Sequence, residues 1–519
     1  MSVFQNPILP GCYPDPSICR VNDDYYLVTS TFAYFPGVPI FHSTDLIQWT
    51  QIGHVLDRPG QLKLDGLEHS QGIYAPTLRY HNGLFYLITT NVGHGGNFVV
   101  TAENPAGPWS DPCWLDAPGI DPSLFFDTDG RAYYCGTRPA PEGEKYYGNW
   151  EIYLQEFDPN RMALVGEVTP LWRGALRDVI WPEAPHIYRK DEFYYLLIAE
   201  GGTAHHHAIT IARSKEIWGP YVGNPGNPVL THRHLGRSYP IVNPGHGDLV
   251  ETQNGEWWIV LLASRTCGGY YRNLGRETFL APVLWEDGWP IISPGTGKLE
   301  WTYRAPNLPL GRPVVTAKRD DFVDAELDHV WNFIRTPTAQ FWSLTERPDY
   351  LRIYLQPETI NERAHPAFVG RRQQHLSFSA QAALEFTPRT EHEAAGLVVI
   401  QNNENYYRLE ITKKEDQEIV RLIKREQGIE EELARAEVEL RPVYLGVVAR
   451  GQDYSFYFGP DDDNLEPLFE KADGRILSTD RAGGFVGTYL GMFATSNHKP
   501  SRNYADFDWF HYEEITDNQ

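Results

Sequence analysis

The chain has 519 residues, a formal net charge of −23 and an aromatic content of 13%. Its length suggests two or three domains, and its aromatic residues favour β-strands and the stacking of sugar rings. The acidic balance argues against a nucleic-acid partner and against an anionic membrane surface, so a neutral ligand fits best.

The N-terminal segment and the cysteines indicate the compartment. Residues 1–7 lack a basic region followed by an apolar core, and no apolar run reaches about 18 residues, so we expect a cytoplasmic protein without a membrane partner. Scattered cysteines without a Cys-x-x-Cys pair predict free buried thiols. They are Cys12, Cys19, Cys113, Cys135 and Cys267. The sequence leaves a homo-oligomer open.

One pattern recurs five times in the first part of the chain. A short polar slot is followed by an apolar pair, a polar turn and an aromatic-rich strand, as in residues 15–28 and 121–134. The spacing of roughly 45–65 residues is typical of propeller blades and too long for a short-repeat solenoid. We therefore predict a five-bladed β-propeller over residues 1–304. The slots are Asp15-Pro16-Ser17, Ala75-Pro76-Thr77, Asp121-Pro122-Ser123, Glu183-Ala184-Pro185-His186 and Gly245-His246-Gly247-Asp248.

The second part of the chain has a different texture. A Pro-rich stretch predicts a linker at residues 305–319. Short alternating segments follow, among them 395–400, 406–410 and 505–512, and they indicate antiparallel strands covered on one face. Residues 320–519 are therefore predicted to form a β-sandwich of the lectin-like jelly-roll type, which makes the whole chain all-β.

Three of the slots begin with a carboxylate, Asp15, Asp121 or Glu183, and a propeller brings equivalent positions to one axis. Cleavage of a glycosidic bond needs two carboxyl groups, one a protonated acid and the other a base or nucleophile. A third carboxylate raises the pKa of the acid if it stays ionised nearby. A single Asp-Pro-Ser motif is typical of a turn cap, but two in phase with a Glu on a third blade favour catalysis.

At these motifs the chain resembles glycoside hydrolase family 43, in its two-domain branch of β-xylosidases and α-L-arabinofuranosidases. The resemblance spans nearly the whole chain. It implies an inverting mechanism with Asp15 as general base, Glu183 as general acid, and Asp121 as the residue that orients the acid and tunes its pKa. It also implies exo-acting release of xylose from the non-reducing end of β-1,4-xylo-oligosaccharides. The alternative is an α-L-arabinofuranosidase, or both activities together, so the expected partner is a xylo-oligosaccharide or an arabinoside.

The same resemblance extends the site beyond the carboxylates, and no cofactor is expected for the chemistry. Tyr74 lies where the family often has Trp, which changes the ring area and hydrogen bonding at the pocket wall and leaves the sugar open. For Phe32, His246, Arg276 and Phe485 a purely structural role is the competing interpretation. The predicted substrate-binding residues are Phe32, Tyr74, Thr203, His246, Arg276 and Phe485.

Two features invite a metal ion. Residues 205–207 are consecutive histidines, which on a strand would point to alternate faces, so we predict no ion there and one ring facing the cleft near Thr203. The closing strand resembles that of lectin-like sandwiches, in which an Asp helps to bind a structural ion. This implies a calcium site at Asp508, with backbone carbonyls near Asp320. The plain alternative is a solvent-facing Asp508 that alternates with core Phe507.

Three other functions compete with this interpretation. The fructan-cleaving invertases have a related architecture, but their Asn-Asp-Pro-Asn opening and Glu-Cys acid site do not match Asp15-Pro16-Ser17 and Glu183-Ala184-Pro185. A non-catalytic carbohydrate-binding protein is at odds with three carboxylates in phase, and a turnover assay decides this point. A WD-repeat scaffold is at odds with the missing Gly-His and Trp-Asp signature.

Overall fold

The computed structural model describes residues 2–313, 317–439 and 441–516, so parts of the predicted linker and of both predicted domain ranges lie outside the described residues. The regular structure is almost entirely β-strand, because the apolar segments are short and rich in β-branched and aromatic residues. Five separate sheets form the first part of the chain, and two larger sheets form the second. The predicted all-β propeller followed by a sandwich is confirmed.

Each blade is an antiparallel sheet whose first long strand contacts the first strands of neighbouring blades near the propeller axis. Blade 1 contains Ser17–Val21, Asp24–Val28, Gly37–Ser43 and Thr50–Leu56. Blade 2 contains Gly72–Ile73, Thr77–His81, Leu84–Val92, Gly96–Ala102 and Cys113–Trp114. Blade 3 contains Ile120–Phe126, Ala132–Pro139, Trp150–Asp158 and Ala163–Trp172. Blade 4 contains Glu183–Lys190, Phe193–Glu200, Ala208–Ser214 and Val222–Gly223, and blade 5 contains Ile241–Glu251, Trp257–Arg265, Glu277–Glu286 and Trp289–Ile292.

The N-terminal segment ties the ring of blades together. Val3–Gln5 pairs antiparallel with Thr302–Arg304, which follows blade 5. Leu9 exchanges backbone hydrogen bonds with Thr278 in blade 5. The segment that leads into blade 1 is therefore fixed on the last blade, as closure of a propeller requires.

The sandwich consists of two antiparallel sheets and very little helix. In spatial order, one sheet contains Trp342–Ser343, Leu351–Tyr354, Tyr504–Glu514, Ser377–Glu385, Val443–Arg450, Asp453–Gly459 and Glu466–Asp473, with Arg319–Asp320 paired to Tyr504–Glu514. The other contains Ala367–Arg372, Tyr489–Thr495, Ala394–Asn402, Asn405–Lys414, Gln417–Glu426 and Ile429–Glu437. Among the described residues, the helical segments are a 3-10 turn, Gly474–Leu477, and one α-helical turn, Thr479–Ala482.

The two parts of the chain share one apolar core. This core runs from blades 1 and 2 into the space between the sandwich sheets. Tyr34–Phe35 pairs with Phe333–Ile334 across the boundary, and the ring centroids of Tyr34 and Tyr489 are 3.8 Å apart in a parallel stack. The sandwich is therefore held firmly against blade 1.

The cysteines are all free, as predicted, but only three of the five are buried. Cys113 and Cys267 are partly exposed, so the prediction of buried thiols is wrong for these two. Within the described ranges, none of the helical segments has the length and apolarity needed to cross a bilayer.

Candidate active site

Four blades have a non-glycine residue in the left-handed backbone conformation just before or within their inner strand. These residues are Asp15 (φ 56°), Asp121 (φ 51°), Ala184 (φ 53°) and His246 (φ 46°), each followed by Pro or Gly. Bulges interrupt strand pairing here in blades 3, 4 and 5. Non-glycine residues with positive φ are uncommon and cluster at functional sites. When the inner strands are aligned on their left-handed residues, Glu183 falls one residue before Asp15 and Asp121. The motif of blade 4 is therefore shifted by one residue from the position that the sequence pattern predicts.

Asp15 is buried and is held by a cation. Nη1 of Arg276 donates to Oδ1 at 2.6 Å, and Oγ of Ser30 donates to Oδ2 at 2.5 Å. Nδ1 of His246 lies 3.6 Å from Oδ1. Burial acts to raise the pKa of Asp15, but Arg276, His246 and Ser30 together bring it below its ordinary value. Asp15 is therefore a carboxylate, as a general base requires.

Asp121 and Glu183 are the other two carboxyls of the site, and the charges of Asp15 and Arg276 act on both of them. Burial raises the pKa of both, mainly by desolvation, and repulsion by neighbouring carboxylates raises the pKa of both further. The charge of Arg276 opposes this shift only in part. The backbone N–H of Ala184 favours the ionised form of Asp121 alone. Both carboxyls of this pair therefore hold a proton more readily than an ordinary carboxyl, which suits the protonated acid that cleavage requires.

Three aromatic rings form one wall of the pocket, Phe32 and Tyr74 from the propeller and Phe485 from the sandwich. Their centroid separations are 5.6 Å for Phe32 and Tyr74, 6.2 Å for Phe32 and Phe485, and 6.0 Å for Tyr74 and Phe485. The guanidinium of Arg276 lies 5.5 Å from the Phe32 centroid and 5.6 Å from that of Phe485. The N–H of Phe485 donates to Oγ of Ser70 at 2.8 Å, which fixes the sandwich loop on the propeller. Four predicted substrate-binding residues therefore come together.

The turn between the second and third strands of blade 4 reaches the same pocket. Nη1 of Arg276 donates to Oγ1 of Thr203 at 3.4 Å. The three consecutive histidines lie in this turn and not on a strand, because two glycines with positive φ end the preceding strand. The strand assumed for these histidines is therefore wrong. His207 is buried with Nδ1 3.0 Å from the carbonyl oxygen of Asn243, whereas His206 is exposed.

The sequence reasoning missed a charged network on the propeller axis. Nη1 and Nη2 of Arg79 donate to the two carboxylate oxygens of Asp248 at 2.9 and 3.2 Å, and Nη2 lies 2.9 Å from Nδ1 of His186. Oγ of Ser17 and the hydroxyl of Tyr188 donate to Asp248 at 2.7 and 2.6 Å. These residues lie on the inner strands of blades 1, 2, 4 and 5, and those in blades 1, 4 and 5 come shortly after the left-handed positions. The network therefore fixes the strands relative to one another. Its sequence signal was the polar residue at the end of three slots, Ser17, His186 and Asp248.

Around the predicted calcium site at Asp508, the described residues include no set of three or more acidic, His or Cys side chains placed to hold an ion. A bulge at Asp508 shifts the pairing of the closing strand by one residue, so the alternation assumed for that strand is broken. Both carboxylate oxygens of Asp506 accept hydrogen bonds from Arg347 and Arg352 at 2.8–3.0 Å. In residues 2–313, 317–439 and 441–516, no group of three or more His, Cys, Asp or Glu side chains is placed to hold a metal ion.

A buried carboxylate, Asp15, and a half-buried carboxyl with a raised pKa, Glu183, lie in one aromatic pocket of a propeller, and such a pair can hydrolyse a glycosidic bond. Two family models match the chain, described as glycosyl hydrolases family 43 over residues 4–290 and as a β-xylosidase C-terminal concanavalin A-like domain over residues 319–513. The chain belongs to glycosyl hydrolase family 43, as predicted, and catalysis in this family needs no cofactor.

Full-length relatives agree with this assignment. The chain is 48% identical to a xylosidase/arabinosidase of Butyrivibrio fibrisolvens, over 99% of this chain and 100% of the relative. It is 42% identical to a non-reducing end α-L-arabinofuranosidase of Bacteroides ovatus, over 98% of this chain and 94% of the relative. The crystal structure of a xylan β-1,4-xylosidase from Bacillus halodurans matches with a TM-score of 0.93 at 38% identity, over 98% of this chain and 100% of that one. The protein is a glycoside hydrolase.

Proposed function

We propose that the protein is an exo-acting, inverting glycoside hydrolase that releases xylose from the non-reducing end of β-1,4-xylo-oligosaccharides. One observation carries the proposal: the pKa values of two carboxyls in the site are shifted in opposite directions, because Arg276 lowers that of Asp15 while desolvation and the charge of Asp121 raise that of Glu183. Full-length relatives named as xylosidases, including a β-xylosidase of Bacillus subtilis at 36% identity, support xylose as the sugar.

In the proposed reaction Glu183 transfers its proton to the glycosidic oxygen as the bond from that oxygen to the anomeric carbon breaks. Asp15 removes a proton from a water molecule, whose oxygen attacks the anomeric carbon from the opposite face. The products are two sugars with free hydroxyls and an inverted anomeric centre. Solvent then takes the proton from Asp15 and returns one to Glu183. The proposal gives Asp121 the negative charge of the pair, which disfavours a second negative charge on Glu183, so Glu183 keeps its proton until the leaving oxygen takes it.

Inversion is tested by following xylobiose hydrolysis with proton NMR before mutarotation proceeds. A β-linked substrate should give α-xylose as the first product, because water attacks the face opposite the leaving group. If β-xylose forms first, the reaction proceeds with retention and Asp15 is not a general base.

Exo-action is supported by the ring of Phe485, which the sandwich loop places beside Phe32 and Tyr74. A wall at this position blocks passage of a polysaccharide chain through the pocket. The test is a time course on xylohexaose labelled at its reducing end. Successive loss of one xylose should produce labelled oligomers shortened one unit at a time, whereas early labelled xylobiose or xylotriose from mid-chain cleavage would contradict the proposal.

Activity on α-L-arabinofuranosides is the second candidate, and the names of the relatives from Butyrivibrio fibrisolvens and Bacteroides ovatus support it. The test compares kcat/KM on 4-nitrophenyl β-D-xylopyranoside and 4-nitrophenyl α-L-arabinofuranoside. A ratio far above one favours the xylosidase, and a ratio far below one favours the arabinofuranosidase. Replacement of Asp15 by Ala should abolish both activities together if one pocket serves both sugars.

A structural calcium ion at Asp508 stays a prediction with little support, since Arg347 and Arg352 already occupy the oxygens of neighbouring Asp506. Its test is a thermal melt with and without a chelator, because an ion bound to the folded state raises the midpoint. An unchanged midpoint would retire the calcium site.

We also propose a cytoplasmic location for the protein. Five free cysteines support it, because a reducing compartment keeps thiols unpaired. Cell fractionation with an activity assay is the test, and activity recovered mainly in the culture medium would contradict it.

A further inference from the structure

The loop that connects the second and third strands of blade 5 is tied to the sandwich by one shielded ion pair. Nη2 of Arg272 donates to Oδ1 of Asp480 at 2.8 Å, Nε donates to both carboxylate oxygens at 3.2 Å, and the backbone N–H of Arg272 donates to Oδ2 at 2.9 Å. Only 12% and 14% of the two side chains are exposed. Because Arg272 and Asp480 are held by several hydrogen bonds at once and are largely out of solvent, this contact constrains geometry more than an ordinary surface pair.

From Arg272 the contacts continue into the pocket. With its amide oriented to satisfy its neighbours, Asn243 accepts a hydrogen bond from Nη1 of Arg272 at 2.7 Å. The Asn243 amide nitrogen donates to the carbonyl of Ala204 at 3.2 Å and to the hydroxyl of Tyr270 at 2.7 Å. Ala204 follows Thr203, whose hydroxyl contacts the guanidinium that binds the general base. This first series of contacts therefore ends beside the general base, Asp15.

A second series of contacts runs from the sandwich along the backbone of the same blade 5 loop. The N–H of Thr488 in the sandwich donates to the carbonyl of Asn273 at 2.9 Å. Gly275 packs so closely on the sandwich that a Cβ there would lie 2.9 Å from the backbone nitrogen of Gly487. The next residue is Arg276, which donates to Asp15 at 2.6 Å. The sandwich therefore determines where the loop presents Arg276.

We propose that Asp480 is a positioning residue for the general base. Through Arg272 it holds the blade 5 loop, and with it the guanidinium of Arg276, in the place that keeps Asp15 ionised. The second domain then contributes to catalysis by fixing a charge in the first, in addition to placing Phe485. This inference rests on the proposed roles of Asp15 and Arg276.

The acidic limb of the pH profile reports on this positioning. Asp15 is faced by Arg276, His246 and His207, and it is near the carboxyls of Asp121 and Glu183. If Arg276 moves away, burial is no longer offset and the pKa of Asp15 rises. The base then loses its charge at a higher pH, so activity on the acidic side should disappear at a higher pH. A loss of overall stability alone would not move this limb.

The experiment uses the full chain with Asp480→Asn, which keeps the shape of the side chain and removes its charge. We expect kcat/KM on 4-nitrophenyl β-D-xylopyranoside to fall about tenfold, since small displacements of positioned groups have effects of this size or larger. The acidic limb should move up by about half a pH unit or more. Asp480→Glu retains the charge and should recover part of both effects. Arg363→Gln is the matched control, because its pair with Glu68 also joins the two parts of the chain but is exposed.

Arg272→Lys is the second variant, since Lys keeps the charge but cannot make the forked contact. It should lower kcat/KM and shift the acidic limb in the same direction, and this keeps the inference testable if Asp480→Asn fails to fold. A folded Asp480→Asn enzyme whose acidic limb matches the wild type overturns the inference, even if its melting temperature falls. An inactive wild type on xylosides and arabinosides would instead overturn the proposed function.

Discussion

The pocket has a base side, formed by Asp15, Arg276, Ser30 and His246, and an acid side, formed by Asp121 and Glu183. Asp15 and Asp121 are buried and Glu183 is half-buried, so desolvation acts on each carboxyl in the same direction. On the base side a guanidinium at 2.6 Å lowers the pKa below its ordinary value, and on the acid side a second carboxyl raises it further. The nearest charge, and not the depth of burial, therefore decides which carboxyl keeps a proton.

This difference shows how neighbouring positions on a repeated fold can supply opposite chemical roles. Electrostatic interactions are several times stronger at a buried site than in water, so one neighbour is enough to separate two pKa values. A change of charge on one side should consequently move one limb of the pH profile much more than the other. The predictions below use this expectation, beginning with the largest effect.

Removal of the acid should have the largest effect and should depend on the leaving group. Glu183→Ala is expected to lower kcat/KM on xylobiose by about 1000-fold, since no other group protonates the departing sugar. The loss should be much smaller on 2,4-dinitrophenyl β-D-xylopyranoside, whose leaving group needs no proton. Asp15→Ala is the control from the base side and should lose activity on both substrates. Equal losses for Glu183→Ala on the two substrates would remove Glu183 from the acid role.

Loss of the cation should disturb the base side. For Arg276→Met we expect a fall in kcat/KM of about 100-fold, because the base is both displaced and less ionised. The acidic limb should move to higher pH, since the burial of Asp15 is no longer offset. A pH profile of kcat/KM measures this shift. Arg276→Lys keeps a positive charge and should shift the limb less, and a limb that moves to lower pH would contradict the assignment.

Loss of the second carboxylate should affect the acid side. Asp121→Asn removes the charge that raises the pKa of Glu183, so the acid should lose its proton at a lower pH. The basic limb of kcat/KM should therefore move down, with a fall of about tenfold at the optimum. The acidic limb serves as the internal control and should move much less. A basic limb that stays in place or moves up would show that Asp121 does not tune the acid.

The smallest effect is expected for an uncharged residue of the pocket wall. Phe485→Ala removes one ring from the wall and should raise KM for xylobiose by about 2- to 10-fold, the range expected for one aromatic contact. Both limbs of the pH profile should stay where they are. Phe485→Tyr preserves the ring and should behave like the wild type. A shift of either limb in Phe485→Ala would mean that the loop also orders Arg276, which lies over the same ring.

The fold class could be predicted because the same slot and strand pattern recurs at blade spacing, and because the alternation changes after the linker. The candidate carboxylates Asp15 and Asp121 could be found for the same reason, since each shares the Pro-Ser that follows it. Their roles in this chain stay predictions. The one-residue offset of Glu183 was invisible in the motif, because it depends on which residue adopts the left-handed conformation.

Other features depend on contacts between distant parts of the chain. Arg79 and Asp248 meet only when the blades close, and a local pattern carries no information on that pairing. The histidine turn was misjudged because a strand was assumed where two glycines end it. Asp506 and Asp508 alternate in the sequence, but a bulge and two arginines change what each of them contacts. Alternation of polar and apolar residues predicts which face of a sheet each side chain lies on only where the strand is regular.

The position of Phe485 determines which sugar residues in a sample of polysaccharide can react. In a pocket closed by this ring, only the terminal residue of each molecule can react, so the effective concentration of substrate is the number of chain ends and not the mass of polysaccharide. A single internal cut made by another hydrolase doubles the ends that one molecule offers, while the mass is unchanged. The rate at low substrate should therefore rise in proportion to the shortening of the chains, and the enzyme gains most from polymer that is already fragmented.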